Sequence, residues 1–184
     1  MRPATQASTK ENILTLETLE THQAQDDRDG LPPSDSGSHP VLARARAAAA
    51  EHGLAYAGSV TPPQAWQLAR SGAAFLVDVR SVEEYRFVGH VPGSLHVPWA
   101  TGTSLNRNPR FVKELEAKVK DKDAIVLLLC RSGNRSALAA EAAHKAGFTN
   151  VFNVAEGFEG DLNERLHRGT VNGWRRHDLP WEQD

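Results

Sequence analysis

The sequence predicts a parallel α/β fold, and three observations carry that prediction. Two short apolar runs, Phe75-Leu76-Val77-Asp78-Val79 and Ile125-Val126-Leu127-Leu128-Leu129, lack the polar alternation of a half-exposed strand and read as strands buried on both faces. Each is followed at once by a segment with helix-start signals. Strands then alternate with helices along the chain, as crossover connections in a parallel sheet require. In open sheets of this kind the working site lies at the carboxyl ends of the strands, where Asp78 and Cys130 both fall.

The elements follow in order. Val41 to His52 is alanine-rich and helical and stops at Gly53. Thr61-Pro62-Pro63-Gln64 opens a second helix, with Thr61 as N-cap and proline in the first turn, and this helix runs to Ser71-Gly72. After the strand at Phe75–Val79, Ser81 with Glu84 three residues on makes a capping-box pattern for a short helix through Tyr85. Gly89-His90-Val91-Pro92-Gly93 is a turn, and Ser94 to Val97 a short strand ahead of Pro98. Pro109 to Lys120 reads as a helix. The central strand leads into Cys130-Arg131-Ser132-Gly133-Asn134-Arg135, then into a helix from Ser136 to Ala146, capped by Gly147. Val151 to Val154 is a last strand, followed by an irregular region marked by Gly157-Phe158-Glu159-Gly160 and Asn172-Gly173-Trp174. Trp66, Trp99, Trp174 and Trp181 read as core or edge packing.

Composition bounds the class. With 184 residues, 40% of them hydrophobic and 24% charged, the chain has room for one ordinary core. Residues 1–40 hold three basic and seven acidic side chains and the stretch Leu31-Pro32-Pro33-Ser34, and read as a disordered tail ahead of a domain over 41–184. A net charge of −2 offers no footprint for nucleic acid, and no apolar run approaches a membrane span. The first 22 residues lack the apolar core of a signal peptide. One cysteine excludes an intrachain disulfide and suits a reducing compartment, which points to the cytoplasm. The eight histidines show no metal-ligand spacing, so no metal and no cofactor are expected.

The chemistry concentrates at that cysteine. Cys130 ends a buried strand just before a helix N-terminus, where unpaired N–H groups and the positive end of the helix dipole favour an anion. Arg131 and Arg135 add permanent positive charge, and Gly133 permits a turn that a side chain would block. Such surroundings suit a reactive thiolate working on an anionic substrate. A lone cysteine is more often a small buried hydrophobe, but the two arginines, the glycine and the junction of strand and helix favour the reactive reading. Asp78 serves either to orient this loop or as a hydrogen-bonded structural carboxylate, and Arg80 is expected to pair with Glu83 or Glu84.

From Thr61 to Trp181 the chain resembles the single-domain rhodaneses, a sulfurtransferase family. The resemblance rests on Leu76-Val77-Asp78-Val79-Arg80; on Glu84-Tyr85 with Gly89-His90-Val91-Pro92-Gly93; on Cys130-Arg131-Ser132-Gly133-Asn134-Arg135-Ser136; and on Glu156-Gly157-Phe158 with Gly173-Trp174 ahead of Leu179-Pro180-Trp181. It implies a five-stranded parallel sheet with helices on both faces. Cys130 is then the sulfur carrier, Arg131, Ser132, Gly133, Asn134, Arg135 and Ser136 its cradle, and Asp78 and Arg80 supporting residues, with His90 in a structural turn. The implied partners are a small sulfur donor (thiosulfate or a persulfide) and an acceptor, which is a thiol, cyanide or a sulfur-accepting protein. Two-domain members that favour thiosulfate carry basic side chains where Glu84 and Ser132 stand, so thiosulfate is expected to be a poor donor here. Two other readings of this fold are a phosphatase or arsenate reductase and a non-catalytic binding module. The phosphatases of the family have one more residue between Cys and Arg than the four found here, a reductase normally uses a second thiol, and binding modules typically lose the cysteine. The stretch 161–171 exceeds the minimal family pattern and is expected to form a flap near the site.

Overall fold

The computed structural model describes residues 39–183. The expected tail therefore lies, up to residue 38, outside the described residues. Its last two positions belong to the fold: His39 caps, and Pro40 opens, helix α1 (Pro40–Glu51). Leu42, Ala45 and Ala49 form its buried stripe. Strand β1 (Gly58–Val60) follows, then α2 (Pro62–Arg70), where the Thr61 N–H donates to Gln64 Oε1 at 2.9 Å. Strand β2 (Phe75–Asp78) leads to α3 (Val82–Phe87), whose capping box is complete: the Glu84 N–H donates to Ser81 Oγ and the Ser81 N–H to Glu84 Oε2. Then come β3 (Leu95–His96), a small hairpin of β4 (Ala100–Thr101) and β5 (Asn106–Arg107), and α4 (Phe111–Val119). Strand β6 (Val126–Leu129), α5 (Asn134–Lys145), β7 (Val151–Val154) and a 3₁₀ turn (Trp174–His177) complete the fold.

Five strands form one parallel sheet in the order β1-β7-β6-β2-β3. Strand β6 lies in the middle and all four of its residues are buried, as a strand covered on both faces demands. Leu128 and Cys130 face a core shared with Phe111 and Leu115 of α4 and Ala139, Ala140 and Ala143 of α5. Leu127 and Leu129 face the opposite core, with Leu42 of α1, Leu68 of α2, Phe158 and Trp174. The tryptophans divide: Trp174 is fully buried and Trp99 nearly so, while Trp181 keeps 39% of its surface exposed.

The sheet matches the expectation of five parallel strands, although the chain pattern alone displayed only four. The missing one, β1, is a three-residue edge strand paired to β7. It lies close against α1 because Gly58 has no side chain; a Cβ there would collide with the Ala45 carbonyl. The β4–β5 hairpin was also not anticipated.

Candidate active site

Strand β6 ends at Leu129, and Cys130 follows as the first residue off the sheet. Helix α5 begins at Asn134, two residues earlier than expected, so Arg135 and Ser136 belong to its first turn. Gly133 is the N-cap, with φ of 88°. That left-handed conformation favours glycine, and a Cβ at this position would run into the Ala155 carbonyl.

The turn is held from outside. The Phe158 N–H donates to the Cys130 carbonyl at 2.7 Å, and the Glu159 and Gly160 N–H groups both donate to the Arg131 carbonyl. Gly157 makes this contact possible, because a Cβ there would lie 2.5 Å from the Arg131 carbonyl carbon and the Ser132 nitrogen. The Cys130 and Arg131 carbonyls are thus occupied, while the donors of the turn are not. The backbone N–H groups of Arg131, Ser132, Gly133, Asn134 and Arg135 have no acceptor among the described residues. Five consecutive free donors at a helix N-terminus make an anion cradle.

The thiol itself is 1% exposed and in hydrogen-bond contact with Ser136 Oγ at 3.1 Å. Arg135, expected to strengthen the positive field, is neutralised: its guanidinium grips Glu84 of α3 in a fork, at 2.7 and 2.6 Å. This corrects the expectation that Glu83 or Glu84 would pair with Arg80. Burial pushes the Glu84 carboxyl up, but the hydrogen bonds and charge of Arg135, with the Ser81 N–H, outweigh it and hold Glu84 below the usual carboxylate range. The Glu84 hydrogen bond in turn pushes Arg135 up. A depressed folded-state carboxyl stabilises the fold above its unfolded value, near about 4.3, and that stability is lost as pH falls through the folded value. Glu84→Gln, which keeps the cap but not the charge, is therefore expected to melt below the wild type at neutral pH. The difference should close progressively at pH values under about 4, as thermal melts across pH would record. Arg131 makes no ion pair among the described residues, and its Nε is buried without a partner. It is the arginine of the loop whose charge stays uncompensated.

Arg80 pairs instead with Asp78. Its Nε and Nη2 take both carboxylate oxygens, at 3.0 and 2.6 Å, and its backbone N–H donates to Oδ1. Both side chains are fully buried. Arg80 Nη2 also reaches the Gly89 carbonyl, and its guanidinium lies 4.0 Å from the centre of the Phe158 ring. Asp78 and Arg80 thus reach the cysteine turn through Phe158, whose N–H holds the Cys130 carbonyl. His90 stacks on Tyr85 and its Nε2 lies 3.2 Å from Glu182, away from the thiol. Among the described residues no group of three or more His, Cys, Asp or Glu side chains could hold a metal, and no helix is long and apolar enough to cross a membrane.

The stretch 161–171 forms no regular element; it is closed at its base by reciprocal hydrogen bonds between Asp161 and Asn172. Its first contacts, Glu159 and Gly160, are the residues that hold Arg131. The sequence reading missed two participants: Glu84 as the partner of Arg135, and Asn153, whose Oδ1 lies 2.6 Å from Ser136 Oγ.

A family model described as the rhodanese-like domain matches residues 61–164. The chain belongs to the rhodanese-like family. It is 45% identical to Rv0390 from M. tuberculosis, whose crystal structure superposes with a TM-score of 0.61 over 70% of this chain and 99% of that one. An uncharacterized protein of Rickettsia prowazekii is 36% identical over 110 residues, 59% of this chain and 83% of the relative. A senescence-associated protein of Raphanus sativus is 33% identical over 137 residues, 73% of this chain and 66% of that protein. This family places the chain among sulfurtransferase-type folds, and the rhodanese-like turn, from Cys130 to Ser136, lies inside the matched region.

Proposed function

We propose that the protein is a sulfurtransferase that carries a sulfane sulfur as a persulfide on Cys130. The observation that supports this most directly is the run of five unpaired N–H groups around the only thiol of the chain. The thiolate attacks the outer sulfur of the donor. With thiosulfate, the S–S bond of the donor breaks and sulfite leaves with its electron pair; with a persulfide, a thiolate leaves. The outer sulfur of the new persulfide carries the negative charge, which preorganised N–H donors stabilise without rearrangement. An acceptor thiolate or cyanide then attacks that sulfur and regenerates the Cys130 thiolate, which is covalent catalysis in two half-reactions. The turn suits this chemistry because four residues separate Cys130 from Arg135, one fewer than in the phosphatases that this fold resembles.

Charge selects among donors. Glu84 cancels Arg135, which leaves Arg131 as the uncompensated cation of the loop. A dianion such as thiosulfate therefore meets half the charge that two arginines would offer, and a persulfide, which brings at most one negative charge at its sulfur end, is the better-matched donor. The assignment is tested by intact-mass spectrometry of the protein after exposure to a persulfide donor and to thiosulfate. One added sulfur atom, removed by cyanide or a thiol, is expected; no added sulfur with any donor, or robust release of phosphate from aryl phosphates, would overturn it.

Arg131→Ala should separate the two donors. Charge-assisted hydrogen bonds contribute about 1.5–3 kcal/mol, so kcat/KM for thiosulfate is expected to fall roughly 10- to 100-fold. The loss should be smaller for a persulfide, which has no sulfonate to hold. Steady-state kinetics with both donors decides, and equal losses would mean that Arg131 shapes the turn without reading the donor.

A further inference from the structure

Asn153 is a polar residue placed where the fold asks for an apolar one. It lies in β7 beside Leu128 of β6 and Ser59 of β1, and its side chain reaches toward α5. It is 6% exposed, against a core formed by Leu128, Ala139, Ala140 and Val151. A buried amide is costly unless its hydrogen bonds are used. The reaction sequence above leaves it without a role.

Counting hydrogens supplies one. Ser136 Oγ is fully buried and lies 2.6 Å from Asn153 Oδ1, 3.1 Å from Cys130 Sγ and 3.1 Å from the Gly133 carbonyl oxygen. Its hydroxyl has one hydrogen to give. While Cys130 is a thiol the arrangement closes: Ser136 donates to Asn153, the closest acceptor, and the S–H donates to Ser136 Oγ. Once the thiol loses its proton to water, sulfur can only accept. The hydroxyl hydrogen must then turn to Sγ, which leaves Asn153 Oδ1 facing the lone pairs of Oγ. A half-turn of the amide about its Cβ–Cγ bond removes that repulsion, because Nδ2–H then donates to Oγ. Among side chains of this size an amide is the one that can accept in the first state and donate in the second. Aspartate could not donate once ionised, and leucine could do neither.

We propose that Asn153 and Ser136 form a two-state hydrogen-bond relay that stabilises the thiolate, and after sulfur uptake the persulfide, of Cys130. Asn153 is a positioning residue: it acts through Ser136 and does not touch the sulfur. The inference rests on the reading of Cys130 as a reactive thiol, but its test requires no turnover. Arg131 and Arg135 in the turn and helix, Glu84 of α3, and Asp78 at the end of β2 with Arg80 just after it are the charged groups around the thiol. All stay in place in every variant.

The test is the pH dependence of Cys130 alkylation by iodoacetamide, read by intact mass, since the chain has a single thiol. Ser136→Ala is expected to move the midpoint of thiolate formation up by about one to two pH units, the loss of one charge-assisted hydrogen bond. Asn153→Leu, which suits the apolar surroundings and should keep the fold, is expected to move it up by a smaller amount, because Ser136 still donates to the sulfur but loses the amide hydrogen that supports it. In the Ser136→Ala background the same leucine should add nothing, because the relay is already broken. Asn153→Asp should raise the midpoint in both backgrounds through its charge, which checks that the side chain is within electrostatic reach. An unmoved midpoint in Asn153→Leu with an unchanged melting temperature, or shifts that add fully in the double variant, would overturn the relay. Absence of sulfur transfer with a normal relay would instead count only against the proposed function.

Discussion

Cys130→Ser is expected to end sulfur uptake and to lower transfer on the order of 10⁴-fold or more, the scale seen when a covalent nucleophile is removed. The serine differs from the cysteine by one atom in a position that is 1% exposed, so the turn and its five N–H donors should survive. A serine hydroxyl is not ionised near neutral pH, and among the described residues no general base stands beside it: the contact at that point is the hydroxyl of Ser136, and His90 is engaged with Glu182. The measurement pairs intact mass with single-turnover transfer to cyanide. A variant that remains folded and still transfers sulfur at the wild-type rate would remove Cys130 from the mechanism.

Asp78→Ala is expected to be the most damaging single change away from the thiol. Both members of the Asp78–Arg80 pair are fully buried, and Arg80 Nη1 already lacks a partner among the described residues. Removing the carboxylate would strand a guanidinium between the Gly89 carbonyl and the Phe158 ring. Breaking one half of a buried pair costs about 3–5 kcal/mol, whereas replacing both halves with apolar residues of similar volume is often neutral. Urea denaturation should therefore show Asp78→Ala strongly destabilised and the double variant Asp78→Leu/Arg80→Met much less so. Equal losses in the two would mean that the pair is worth more than its mutual compensation. Because Phe158 also holds the Cys130 carbonyl, sulfur uptake by the single variant should fall even under conditions where it remains folded.

What the sequence displayed and what it concealed divide along physical lines. Strand β6 and the turn after it were legible because burial on both faces leaves an unbroken apolar run and the change to polar residues at Cys130 is abrupt. The capping box of Ser81 and Glu84 was legible because its partners are three residues apart. The other use of Glu84 was not: the carboxylate whose Oε2 caps α3 also holds Arg135, 51 residues away, through both oxygens, and no local pattern encodes that meeting. Local logic gave Arg80 a glutamate on the next helix, while the buried carboxylate two residues back was nearer and better aligned. Strand β1 is too short to show a period, and it opens with a glycine whose packing reason lies in α1. Asn153 reads as one residue of a strand until the register sets it opposite Ser136.

The strand order also sets a schedule for synthesis. Strand β1 is made early but its sheet neighbour is β7, the last strand of the sheet, and β2 likewise waits for β6. A nascent chain that has emerged only as far as α4 therefore holds β1 with no sheet partner and β2 paired on the β3 side alone. The active turn cannot be fixed until still later, since the N–H groups that bind its carbonyls come from Phe158, Glu159 and Gly160. Domains tend to fold as units once their chain is available, and here nearly the whole described chain is required at once. The thiol is consequently made before the cradle that would hold its charge is closed. During translation it is an ordinary cysteine, and it becomes the distinctive one of this fold only when the segment after β7 docks.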